Sequence, residues 1–189
     1  MLIMRDPVAV EAVMSIQLLL ASLLRFKTAS NRELLSAMAA VADEGPSDRL
    51  SSALRVLAHA HRVDLIFAAH LQRQPHAFDA SWTAEAPALS DLASSVAETD
   101  QWYLDYISAV RSDELEEVVD FTFTDGSRGR MSREEMLAHV VTHSGYHRGE
   151  AGRLMPEVES TSMRDVFAGY LHREEPQRRS VRCPSPSND

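Results

Sequence analysis

Four long stretches of this sequence repeat apolar residues at the three- and four-residue spacing of a helix face, and three of them end at a proline or a Gly-Pro pair. The first runs from Val8 to about Ala42 through Val13, Ile16, Leu20, Leu23, Leu24, Leu34, Leu35, Met38 and Val41. Asp6-Pro7 supplies an N-cap and a first-turn proline, and Gly45-Pro46-Ser47 closes it. Thr28-Ala29-Ser30-Asn31 weakens the middle, so one long helix or two nearly collinear ones are expected. A second helix is expected from about Ser47 to Gln74, stopped by Pro75, with a loop over 75–88. The third starts at Ser90 or Asp91 and reaches Val110 through Leu92, Val96, Trp102, Tyr103, Tyr106 and Ile107. Ser132 and Glu135 then make a capping box that opens a fourth helix to about Met155, stopped by Pro156.

Between the third and fourth helices the period changes. Val118-Val119-Asp120-Phe121-Thr122-Phe123-Thr124 is β-branched and aromatic, and Asp125-Gly126 follows as a hairpin turn signal. A short last helix is expected over Ser162 to His172. Pro176 onward, with Arg178, Arg179, Arg182, Pro184 and Pro186, reads as a polar, disordered tail. The expected fold is all-α, a four-helix bundle with a small β-hairpin before its last helix and a short C-terminal helix.

Charge and composition then exclude function classes. The 189 residues carry a net charge of −9, a poor match for a nucleic-acid backbone. Apolar residues make up 44%, enough to fill a core. The best apolar run, Leu18 to Leu24, contains Ser22 and falls short of the roughly 18 residues of a membrane span. The first residues show no secretory n-region, h-region or cleavage site, so a cytoplasmic protein with no membrane partner is expected. One cysteine, Cys183, allows neither an internal disulfide nor a thiolate metal cage. G-x-S-x-G, P-loop and G-x-G-x-x-G motifs are all missing from the sequence. Trp82, Trp102, Tyr103 and Phe67 read as core or as pocket walls.

Eight histidines remain to be explained. His139, His143 and His147 share one face of the fourth helix at four-residue spacing. Neighbours four apart have Cβ atoms roughly 5–6 Å apart, so two adjacent imidazoles can grip one ion. Positions eight apart are separated by about 12 Å, so the ion takes either His139 with His143 or His143 with His147. Neutral imidazole is the commonest transition-metal side-chain ligand, although polar surface or hydrogen-bonded core histidines have the same spacing. A third ligand has to come from elsewhere, and the second helix offers His59, His61 and His70. Periodicity slightly prefers His61 as the inward residue. Gly145 and Gly149 interrupt the same helix, permitting close approach of a helix or ligand, or simply packing.

These residues resemble the DinB/YfiT-like superfamily of metal-binding four-helix bundles, from about Leu18 to Leu171. His143-x-x-x-His147-Arg148-Gly149-Glu150 is similar to the family's H-x-x-x-H-R-G-Q. Leu57-x-His59 followed by Asp64-Leu65-Ile66-Phe67 is similar to its L-N-H-x-x-x-x-D-R-I-W. Phe26 through Asn31 resembles its aromatic-x-x-x-A-N stretch, and the Phe123-Thr124-Asp125-Gly126 hairpin also fits. The resemblance implies a bundle domain over residues 1–175, a tail over 176–189, and His59, His143 and His147 as metal ligands. The register to Asp64 selects His59 over His61, which stays an alternative, as does His139. Thr142, Tyr146 and Glu150 stand where the family usually has Asn, His and Gln. Glu150 is the catalytic candidate: a carboxylate orienting an imidazole or bound water, or an exposed partner of a Lys or Arg. Asp64 points largely away from His59 and reads as structural or as an inter-helix acceptor.

By the same resemblance the cofactor is a divalent metal, nickel or zinc by donor chemistry, with iron or manganese as further candidates. The implied activity is that of a metal-dependent enzyme of the thiol S-transferase/isomerase or hydrolase type. Its small-molecule substrate would meet a metal-activated thiolate or water, the thiol being of low molecular weight. The alternative is a non-catalytic metal-containing binding or stress-response protein. Relatives are often homodimers, so a dimer is expected.

Overall fold

The structure is a computed structural model and describes residues 7–42, 47–159 and 166–179. Helix α1, Pro7–Ala42, is one continuous helix rather than two. Its weak middle is held by side-chain bonds: Thr28 Oγ1 donates to the Leu24 carbonyl at 3.0 Å, and Asn31 Nδ2 donates to Asp100 at 2.9 Å. The expected cap at Asp6 and stop at Gly45-Pro46 lie outside the described residues. Helix α2, Asp48–Leu71, is capped by Ser47, whose hydroxyl accepts from the Leu50 amide at 3.1 Å. It ends three residues before Gln74, because the Gln72 amide bonds the Ala68 carbonyl and Arg73 turns to φ 56 before Pro75 is reached. Helix α3, Leu89–Ala109, starts just ahead of Ser90, with Ala88 as an N-cap without a side-chain bond, and ends at extended Val110.

Strands β1, Val118–Thr122, and β2, Arg128–Ser132, pair antiparallel with Val118 opposite Ser132 and Phe121 opposite Gly129. Phe123 and Thr124, expected in the strand, belong instead to the turn, where Gly126 takes φ +85. A Cβ on Gly129 would lie 2.4 Å from the Phe121 ring, so this register admits only glycine there. Helix α4, Arg133–Leu154, opens with the full capping box: the Glu135 amide donates to Ser132 Oγ at 3.2 Å and the Ser132 amide to Glu135 at 2.7 Å. Pro156 does more than stop it. Proline fits a first helical position, and a short helix α5 runs over Pro156–Glu159. Helix α6 is Phe167–Glu174, later than the expected span, whose first residues lie outside the described ones. The first four tail residues, Pro176–Arg179, form a 3-10 turn, and 180–189, including Cys183, lie outside the described residues.

Contacts run α1 to α3, α3 to α2, α2 to α4 and α4 back to α1, a closed ring of long helices. Two apolar clusters fill it. One gathers Leu24, Phe67, Tyr103, Leu137 and Val140 with the hairpin's Phe121; the other gathers Leu35, Leu57, Val96 and Ala151. Between them in every helix sits a polar level: Lys27 and Asn31, Asp64, Asp100, and Ser144 with Arg148. No helix among the described residues is long and apolar enough to cross a membrane.

Candidate metal centre

The most extensive helix contact, α2 against α4, brings His59 opposite His143 and His147. Ring centroids are 5.2 Å apart for His59–His143, 4.7 Å for His59–His147 and 4.5 Å for His143–His147. One ligating nitrogen from each lies within 4.8 Å of the other two. Two histidines come from successive turns of one helix and the third crosses from its neighbour. Of the remaining candidates, His61 turns to α3, its Nε2 2.8 Å from Ser95 Oγ. His139 lays its ring against Phe67 at 4.6 Å and stands outside the group of three. His61 is inward, as periodicity preferred, but so is His59, and the two are buried against different neighbours.

Hydrogen bonds set the tautomers. His59 Nδ1 lies 3.1 Å from the Ser81 carbonyl, which can only accept, so Nδ1 carries the proton and Nε2 keeps its lone pair. His147 Nδ1 lies 2.9 Å from Glu150 Oε2, and an ionised carboxylate imposes the same tautomer. Of the two expected partners, Glu150 thus meets the imidazole of His147 rather than a Lys or Arg among the described residues. His143 Nδ1 is buried with no hydrogen-bond partner in the structure.

Burial and then the neighbouring imidazoles push His143 down to about 3, so it stays neutral. Burial lowers His59 as well, opposed by the Ser81 carbonyl. His61 is brought down to about 4 by burial and then by the Lys27 charge. His143 and His59 are thus biased toward the uncharged imidazole, the form a metal requires. A buried ring nitrogen without a partner on His143, in a group of three converging histidines, fits a divalent ion.

The loop after α2 lies over these histidines, and of its residues only Trp82 was marked in the sequence, as core or pocket wall. Arg62 donates to the Ala80 carbonyl at 3.0 Å and stacks its guanidinium on Phe78, 5.2 Å from the ring centre. This strap delivers Ser81 to His59 and lays the Trp82 indole flat on the His59 ring, 4.1 Å away at 5°. Trp82 is 47% exposed, so it walls the site, whereas Phe67 and Tyr103 are core. Tyr146, 71% exposed, meets the edge of His147 from the other side at 5.0 Å. Gly145 and Gly149 serve no close approach: a Cβ at Gly145 would meet only Arg148, at 3.6 Å, and one at Gly149 nothing within 4 Å.

A helical bundle with an inter-helix cluster of three imidazoles defines the class. The model of the DinB family matches residues 14–178, and the chain belongs to that family. No curated protein and no solved structure matches it.

Proposed function

We propose that this chain is a metal-dependent enzyme that holds one divalent ion on His59, His143 and His147 and acts by thiol S-transfer or isomerisation, or by hydrolysis. The observation that carries the reading is the convergence of three imidazoles, one with a buried, unpartnered nitrogen. Nickel or zinc suits an all-nitrogen donor set. A divalent ion there supplies Lewis acidity, which favours the deprotonated form of a water or thiol within its reach. The protein's own groups do the rest. Ser81 and Glu150 fix two ligand tautomers, and Trp82 and Tyr146 flank the entrance with aromatic surface. Three neutral imidazoles, one carboxylate and a divalent ion sum to a single positive charge. An anionic incoming group neutralises it, which suits a thiolate.

Metal analysis of the purified chain tests this. One equivalent of nickel or zinc is expected in the wild type, and none in folded His147→Ala or His59→Ala. A screen of low-molecular-weight thiols with electrophilic acceptors should then reveal turnover that chelation abolishes. A chain that binds no metal sinks the reading. One that binds metal and gains thermal stability from a thiol, without product, is a binding protein instead.

A further inference from the structure

Behind the imidazoles, at the level where they leave α2 and α4, the two apolar clusters are separated by a closed circuit of buried polar side chains. Ser144 of α4 donates to Asp64 of α2 at 3.2 Å. Asp64 pairs with Lys27 of α1 at 2.8 Å, and Lys27 pairs in turn with Asp100 of α3. Asp100 accepts from Asn31 of α1 at 2.9 Å, and Asn31 accepts from Arg148 of α4 at 2.9 Å. The circuit starts and ends on α4, at the residues immediately following His143 and His147. All its charged members are at most 4% exposed. Two cations balance two carboxylates, so the circuit brings no net charge to the neighbouring site, and its influence there is geometric.

We infer that this circuit positions the metal ligands: it fixes the rotation of α4 against α1, α2 and α3, so that His143 and His147 face His59. Apolar packing alone specifies the rotation of a helix loosely, because side chains of similar volume repack. A buried charge network tolerates no slip, since a lost partner leaves a desolvated charge unpaired. Ser144, Asn31, Asp64, Lys27, Asp100 and Arg148 are thus positioning residues, acting through the histidines. The inference rests on the metal reading above.

The test is Co2+ titration of the full chain, read by visible absorption together with thermal unfolding. Ser144→Ala removes the Ser144–Asp64 bond between α4 and α2, and Asn31→Ala removes the bonds to Asp100 and Arg148 from a helix that carries no ligand. Both should weaken Co2+ binding about tenfold, the usual scale for groups that orient metal ligands, and change the absorption band. Ser144→Thr keeps the hydroxyl and should restore both. Leu115→Ala, at a fully buried core position outside the circuit, should lower thermal stability and leave Co2+ affinity and spectrum unchanged. If Ser144→Ala and Asn31→Ala bind Co2+ as the wild type does, or if Leu115→Ala weakens binding as much as they do, the inference is overturned. A wild type that takes up no Co2+ overturns the metal reading, and this inference with it.

Discussion

Glu150 shows how one carboxylate can matter without touching an ion. Its bond to His147 Nδ1 selects the tautomer and makes Nε2 a better donor. Glu150→Gln keeps the shape and removes the charge, so metal affinity should fall by about 10- to 100-fold while the fold persists; competition with a chromophoric chelator measures it, and unchanged affinity would contradict the assignment. Four-residue spacing showed that two adjacent histidines of α4 could share an ion, but left His139 with His143 and His143 with His147 equally open; the family motif chose the second pair. The choice of His59 was not legible from spacing, because a helical wheel separates buried from exposed, and His61 is buried too, against Ser95 of α3. Only the family register to Asp64 favoured His59. Trp82 was legible as core or a pocket wall, but neither its place on His59 nor the Ser81 carbonyl was, since no local pattern says which loop backbone will fold over which helix. Lys27 and Asp100 had a signal that went unread: Leu20, Leu24, Lys27, Asn31, Leu35 and Met38 form one stripe on α1, as do Leu92, Val96, Asp100, Tyr103 and Ile107 on α3.

Helix α4 carries glycines that its packing does not need. Gly149 faces open space at a helical position, so Gly149→Ala should raise stability by about 1 kcal/mol, visible as a higher urea midpoint. Ser132→Ala at the other end should lower it by about 1 kcal/mol, because the Glu135 amide loses its hydroxyl acceptor. The capping box was readable because its two defining bonds join residues three apart in the sequence. Helix ends set by backbone turns were not: α2 stops at Leu71 through a left-handed Arg73, a conformation the residue type does not announce. Pro156 was seen as a stop, and its second role, opening α5, depends on a chain direction set by tertiary packing. The hairpin was placed correctly, but its strand was overextended into Phe123 and Thr124, whose residue types suit a strand as well as a turn.

The whole bundle should be acid-sensitive in its metal-free form. His70, at the end of α2, packs on Phe67 and Phe121, with His76, Arg73 and Asp120 as its charged or titratable neighbours, and its Nε2 has no hydrogen-bond partner. Burial, then His76, lowers its pKa below 6.5. The unfolded chain therefore binds a proton that the folded chain refuses. Stability is whole above about pH 6.5 and is lost as pH falls below it, by up to about 1.4 kcal/mol per unit for each such group. His70→Phe should flatten that decline between pH 7.5 and 5 in urea titrations; an equal slope in variant and wild type would refute the assignment. The division of the interior into two apolar clusters with a charged level between them was only half legible. The apolar halves follow from periodicity, whereas the pairing of charges depends on which helices become neighbours.

The indole lying flat on His59 makes the chain its own optical gauge. Fluorescence from Trp82 will respond when a cation draws electron density from the imidazole beneath it, whereas Trp102, stacked on Tyr106 of α3, serves as an internal reference. Occupancy can thus be followed in real time with no label attached.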